Sequence, residues 1–109
     1  MKQSATAVLE RMSWFDASFC TEPYEAAWAD EAIFFIKVHE MPESMRLVAR
    51  IQISADGIDW MDEGAVTGTI DRAGSWFVKA TRFGGWLRLC ADVEGAGRLR
   101  VTVQLALKG

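Results

Sequence analysis

One histidine and two cysteines are all that 109 residues hold of the side chains that most often do chemistry, and there are only two prolines. A lone imidazole, His39, removes most hydrolytic triads and every multi-histidine metal site at once. It stands beside Glu40 at the end of an apolar stretch, and no serine or cysteine nucleophile motif accompanies it, so it reads as a strand-end histidine rather than a general base. Cys20 and Cys90 show neither CxxC nor Cys/His ligand spacing, which excludes zinc-ribbon and thioredoxin-like readings. They are expected to be buried free thiols that serve packing, with a disulfide joining N- and C-terminal strands as the alternative.

Charge of one sign is never massed. The net charge is −3, and without a basic footprint nucleic acid is not an expected partner. Arg82, Arg88, Arg98 and Arg100 are the nearest approach to one, and read as solvated outer-face residues ahead of a phosphate patch. No apolar run reaches the length of a membrane-spanning helix, and Met1 to Glu10 lacks the apolar core of a secretory signal. The expectation is a soluble chain without membrane partners, located in the cytoplasm or in a particle assembled there.

What the sequence does contain is the balance of a globular domain: half of the residues are hydrophobic and a quarter are charged. This length suits one domain over residues 1–109, able to bury about 60 to 70% of its unfolded surface without metal or cofactor. The scattered Met12, Met41, Met45 and Met61 form no helical stripe and act as gap-fillers.

Alternation dominates the pattern. Leu99, Val101, Val103, Leu105 and Leu107 interleave with Arg98, Arg100, Thr102, Gln104 and Lys108, so a one-residue slip would turn all five apolar side chains to water. From Met45 to Ser54, Leu47, Ala49, Ile51 and Ile53 oppose Arg50, Gln52 and Ser54, as in a sheet with one wet face. Asp56-Gly57 then reverses the chain into a return strand, Trp60 to Val66. Asp56 can accept backbone hydrogen bonds, Gly57 can take positive φ, and Trp60 is placed to cover the turn. Ala32 to Glu40, rich in branched and aromatic residues, is another strand, as is Ser75 to Thr81, with Trp76, Val78 and Ala80 directed inward. Trp86 to Val93 pairs with Leu99 to Leu107 across the glycine-rich Glu94-Gly95-Ala96-Gly97. Residues 5–16 read as an irregular strand or a helix. The segment after Pro23 reads as one helical turn or a long connection. Seven or eight short strands without crossover helices make an all-β, antiparallel two-sheet sandwich, jelly-roll or immunoglobulin-like.

Ser54-Ala55-Asp56-Gly57-Ile58-Asp59-Trp60 resembles the S-x-D-G-x-x-W hairpin of discoidin-like (galactose-binding-like) modules and of small β-sandwich proteins of phage tails and virions. The order that follows is similar to the phage and virion type: an aromatic-glycine corner at Phe83-Gly84-Gly85, then Trp86 to Leu89 and a closing Leu99 to Val103. The resemblance covers Leu47 to Lys108 and implies a structural module. Discoidin-like domains are longer, with aromatic-tipped ligand loops, and that length is missing here. The Asp-box of sialidase-type propellers recurs blade by blade, whereas this hairpin occurs once.

Two sets of residues could bind something. Asp56, Asp59 and Asp62 (with Glu63) crowd oxygens around one hairpin, as Ca²⁺ requires, but without EF-hand spacing; turn formation and solubility are the preferred reading. Of the five tryptophans, Trp28, Trp60 and Trp86 are candidate stacking platforms for a glycan, with Trp28 and Trp86 the ones expected to be exposed. Core and interface anchoring is the competing role. The reading preferred overall is a non-enzymatic structural module that self-associates as a homo-oligomer through sandwich edges or apolar faces. The alternative is a carbohydrate-binding module.

Overall fold

A computed structural model describes residues 3–109. They form nine strands: β1 (Ser4–Phe15), β2 (Phe19–Cys20), β3 (Tyr24–Glu25), β4 (Glu31–Glu40), β5 (Arg46–Ser54), β6 (Met61–Val66), β7 (Gly74–Thr81), β8 (Trp86–Glu94) and β9 (Leu99–Lys108). No helix occurs among the described residues, and none therefore is long and apolar enough to cross a membrane.

One antiparallel sheet has the order β1-β9-β4-β7; the other runs β2-β8-β5-β6, with β3 also paired to β8. Since β2 and β3 share β8, they act as one interrupted strand, and the wrapped order is that of an eight-stranded jelly roll rather than an immunoglobulin fold. Only β5 and β6 are consecutive strands that pair with each other. The expected hairpin between Trp86–Val93 and Leu99–Leu107 is thereby corrected: β8 pairs with β5, β9 with β1 and β4, and Gly95 to Arg98 form a corner between sheets. A glycine-rich turn dictates that the chain reverses, not that the two arms share hydrogen bonds.

The alternation is realised as burial. Leu99, Val101, Val103, Leu105 and Leu107 are each at most 1% exposed and meet Leu47, Ala49, Ile51, Leu87 and Leu89 of the facing sheet in one apolar cluster. Each such leucine or isoleucine removed from water contributes about 1.5 to 3 kcal/mol before chain entropy is set against it. Trp76 is half-buried, and Val78 and Ala80 are buried, as their spacing implies.

The two ambiguous segments both join sheets. β1 is a strand with register breaks between Val8 and Glu10 and between Glu10 and Ser13. At the second break Met12 takes φ 47°, and its amide leaves the ladder to donate to Thr102 Oγ1 at 2.9 Å. After Pro23 there is a hydrogen-bonded reversal, Ala29 N to Ala26 O at 3.0 Å, but no helix follows, because β2 and β3 are held flat along β8.

Two buried threonines finish the five-stranded sheet. Thr21 N donates to Leu89 O at 2.8 Å while its hydroxyl accepts from Leu89 N at 3.0 Å. On the opposite side Thr67 N donates to Ala49 O at 2.8 Å and its hydroxyl accepts from Ala49 N at 2.9 Å. In each case a side-chain oxygen stands in for the strand carbonyl where the edge strand has stopped, so a central strand keeps its bonds. Among the described residues no buried side-chain polar atom lacks a partner.

Candidate interaction surface

The outer faces of the two sheets differ in kind. On the five-stranded sheet, Arg50 Nε donates to Asp62 Oδ1 at 3.0 Å and a second guanidinium nitrogen pairs with Asp92. Gln52 donates to the same Asp62 oxygen at 2.9 Å and accepts from Arg88 Nε at 2.8 Å, and the Arg88 guanidinium lies 4.4 Å from the Trp60 ring centre. Asp92, and then Asp62, raise the Arg50 pKa against the opposing effect of burial. Gln52 and Arg50 lower that of Asp62, whereas burial and then the Arg50 charge lower that of Arg88. Every charge in this chain of contacts has a partner, and the apolar group beside it on this face is Val66, opposite Arg50 and 58% exposed.

The four-stranded sheet presents apolar groups outward instead. Strand pairing sets Phe77, Phe35, Gln104 and Val8 in one row across all four strands. Phe77 is 60% exposed, Phe35 44% and Val8 38%, and the two phenyl rings stand 6.5 Å apart. Lys79 and Lys37 flank the row on the neighbouring strands' outward positions. Beside it lies an open depression of about 390 Å³ lined by Phe35, Lys37, His39, Trp76, Thr102 and Gln104. Further along this face Arg98 and Arg100 cover Trp14 at 4.3 and 5.2 Å.

The lateral edges are equally unequal. β1 is broken by its two register shifts. The β2/β3 edge is split into two-residue pieces. β6 has six residues, Gly64 at φ 114° and a register shift against β5. β7 alone is long and regular: its eight residues pair with β4 in unbroken register. Bulges, short strands and glycines are devices that prevent a further strand from adding to an edge; β7 has no bulge, and its one glycine, Gly74 at φ 154°, stands at its first position, outside Ser75 to Thr81.

The residues singled out from sequence fall as follows. Trp28 is exposed, at 42%, in the reversal before β4, whereas Trp86 and Trp60 are half-buried. It is Trp86, not Trp60, that backs the hairpin: a Cβ added to Gly57 would sit 3.2 Å from the Trp86 ring, while Trp60 underlies Arg88. Ring-to-ring contacts among the described residues join Phe15 with Phe19 and Phe35 with Phe77, and none joins Trp28, Trp60 and Trp86 into one platform. The aromatic pair on the surface, Phe35 and Phe77, was missed as a site. The alternation that assigned Phe77 to the face opposite Trp76 was its available signal.

Asp56 is consumed by its turn. Its Oδ1 accepts from Ile58 N at 2.8 Å and Asp59 N at 3.0 Å, and receives the Ser54 hydroxyl at 3.0 Å. These bonds, from Asp59 first and then Ile58, lower its pKa. Ser54, expected on the wet face, is buried because amides of Asp56 and Gly57 close over its oxygen. With Asp62 engaged by Arg50 and Gln52, the Ca²⁺ set of Asp56, Asp59 and Asp62 is not assembled. Among the described residues no three His, Cys, Asp or Glu side chains are placed to hold a metal ion. His39 Nε2 meets Thr102 Oγ1 at 2.8 Å.

The expected free thiols are a disulfide. Cys20 and Cys90 occupy directly opposed positions of β2 and β8. The register of those strands brings the sulfurs together, and nothing local in the sequence specified that register.

No family model and no curated protein matches this chain. Solved structures do. The SPBc2 prophage-derived protein YomS superposes with a TM-score of 0.62 at 8% identity, covering 100% of this chain and 96% of that one. An infectious bursal disease virus structure (Gx strain) gives 0.68 at 10% identity over 98% of this chain and 32% of its own. The PBSX exported protein XepA gives 0.63 at 7% identity over 98% and 36%. The chain thus spans about a third of the latter two. The likeness expected for Leu47 to Lys108 runs through the whole chain, and what it establishes is a jelly-roll sandwich of the kind found in prophage and virus proteins.

Proposed function

We propose that this chain is a non-enzymatic structural module that self-associates within a phage- or virion-type assembly. The observation that carries the reading is the contrast between a five-stranded face centred on the linked Arg50, Asp62, Asp92, Gln52 and Arg88 and a four-stranded face that exposes Phe35, Phe77 and Val8 in one row beside an unpaired edge. Exposed apolar groups next to a free strand edge favour burial against protein, and a homo-oligomer is the commonest way of supplying it. The fold's occurrence in prophage and virus proteins supports the same reading. Of the two locations expected, the particle is favoured, because a disulfide persists on virion surfaces and is rare in a reducing cytoplasm. Light scattering at high micromolar concentration tests the proposal: a mass above the 12.1 kDa of one chain is expected, and a strict monomer refutes it.

A further inference from the structure

We infer that the contact between copies is made by β7 pairing antiparallel with β7 of a second copy, which joins two four-stranded sheets into one of eight. This rests on the self-association reading and names the surface that performs it. Among the described residues, no backbone hydrogen bond outside the β4 ladder uses Gly74 to Thr81, so the outward side of this edge holds unpaired donors and acceptors that another strand would satisfy. A strand set antiparallel to itself is always complementary in its hydrogen bonds, and directly opposed residues share a face. Outward Phe77 can therefore oppose only outward residues of the second copy.

Charge selects among the registers that remain. Lys79 opposite Lys79 would set like charges side by side and is disfavoured. With Phe77 opposite Phe77, each Lys79 faces the partner's Ser75, and the row Phe35-Phe77 continues across the two-fold axis as four phenylalanines. That register covers the most exposed large apolar residue of the face, Phe77 at 60%. Lys79 offers no barrier, since it lies on the solvent face with Phe77 rather than projecting along the sheet plane from the edge.

The test compares native mass over a concentration series for the wild type, Phe77→Lys, Ser75→Asp and, as a control on the β6 edge, Val66→Lys. Phe77→Lys brings two ammonium groups together at the axis and should raise the dimer dissociation constant at least tenfold. Ser75→Asp creates two symmetric pairs with Lys79 and should lower that constant several-fold, an effect that a merely structural role for Ser75 would not give. Val66→Lys should change nothing. Hydrogen exchange on the wild type is the check that needs no variant: amides of Gly74 to Thr81 should gain protection with concentration while those of β1 do not. An oligomer that survives Phe77→Lys, or concentration-dependent protection in β1 instead of β7, overturns this interface and leaves self-association standing. A wild type that stays monomeric overturns both.

Discussion

Removing the Cys20–Cys90 bridge should cost this fold more than any single apolar contact. The two cysteines are 70 residues apart in sequence, and the chain-entropy relation for a closed loop of that size gives about 15 cal/mol/K, or about 4.4 kcal/mol at 25 °C. The folded state loses little in exchange, because Cys90 sits in the middle of β8, while β2 keeps the Thr21 bonds to Leu89 and the bond from Val93 N to Ser18 Oγ at 2.9 Å. The effect should therefore be expressed mainly through the unfolded chain. Guanidinium unfolding with and without reductant is the assay. With a denaturant slope of about 3 kcal/mol/M for a domain of this size, the midpoint should fall by about 1 to 1.5 M, and Cys20→Ala/Cys90→Ala should reproduce the shift without reductant. Two free thiols in the unreduced native protein, or a midpoint indifferent to reductant, would refute the reasoning.

Other perturbations separate backbone from side-chain causes. Gly95→Ala would place a Cβ 1.9 Å from Ser44 O, whereas a Cβ at Gly64 meets nothing within 4 Å although φ is positive at both. Gly64→Ala should then cost about 1 to 3 kcal/mol of backbone strain, and Gly95→Ala distinctly more, read as a difference in unfolding midpoints. Thr67→Val keeps shape but strips Ala49 N of its acceptor, and should destabilise by about 1 to 3 kcal/mol with loss of exchange protection at Ala49. Because the pKa of Asp56 is lowered below 3.8 by its turn hydrogen bonds, its contribution is complete above the unfolded-state pKa and disappears as pH falls through the folded-state one. Asp56→Asn keeps an acceptor but cannot titrate, so its stability should decline less than that of the wild type below about pH 4, measured by denaturant unfolding across pH.

Sequence pattern made the strands legible and left their partners obscure, for a physical reason. A period of two reports which face of a strand is buried, and that held from Leu99 to Leu107, from Leu47 to Ile51 and from Trp76 to Ala80. The Asp56-Gly57 turn was equally legible because its bonds lie within five residues of Ser54. Pairing across the sandwich is non-local: β1 meets β9, and β2 meets β8. The choice is made by how two sheets wrap around one core, so neither the Cys20–Cys90 contact nor the separation of β8 from β9 had a local signature. Strands of two residues, such as β2 and β3, are too short to display any period. Trp86 displaced Trp60 behind the hairpin because it opposes Ser54 in the ladder, a neighbour that no spacing within the turn reveals. The candidate surface was partly legible, since Phe35 and Phe77 lie in strands whose alternation was read, while their side-by-side register was not.

The completeness of the core decides how assembly and folding are related. Leu47, Ile51, Leu89, Leu99 and Leu105 are buried entirely within one chain, and both sides of the five-stranded sheet are finished by threonine hydroxyls from the same chain. Among the described residues the core is buried by the chain itself, and no buried side-chain polar atom lacks a partner. Association through β7 would therefore join folded units instead of completing unfolded ones, and stability should depend on protein concentration only through mass action on the dimer. For that reason Phe77→Lys, which changes a side chain already largely in water, should leave the unfolding free energy of the dilute monomer within about 0.5 kcal/mol of the wild type while weakening the dimer at least tenfold. A midpoint that collapsed with this substitution would mean that Phe77 supports the fold itself, and the division between a self-sufficient core and a surface reserved for assembly would be wrong.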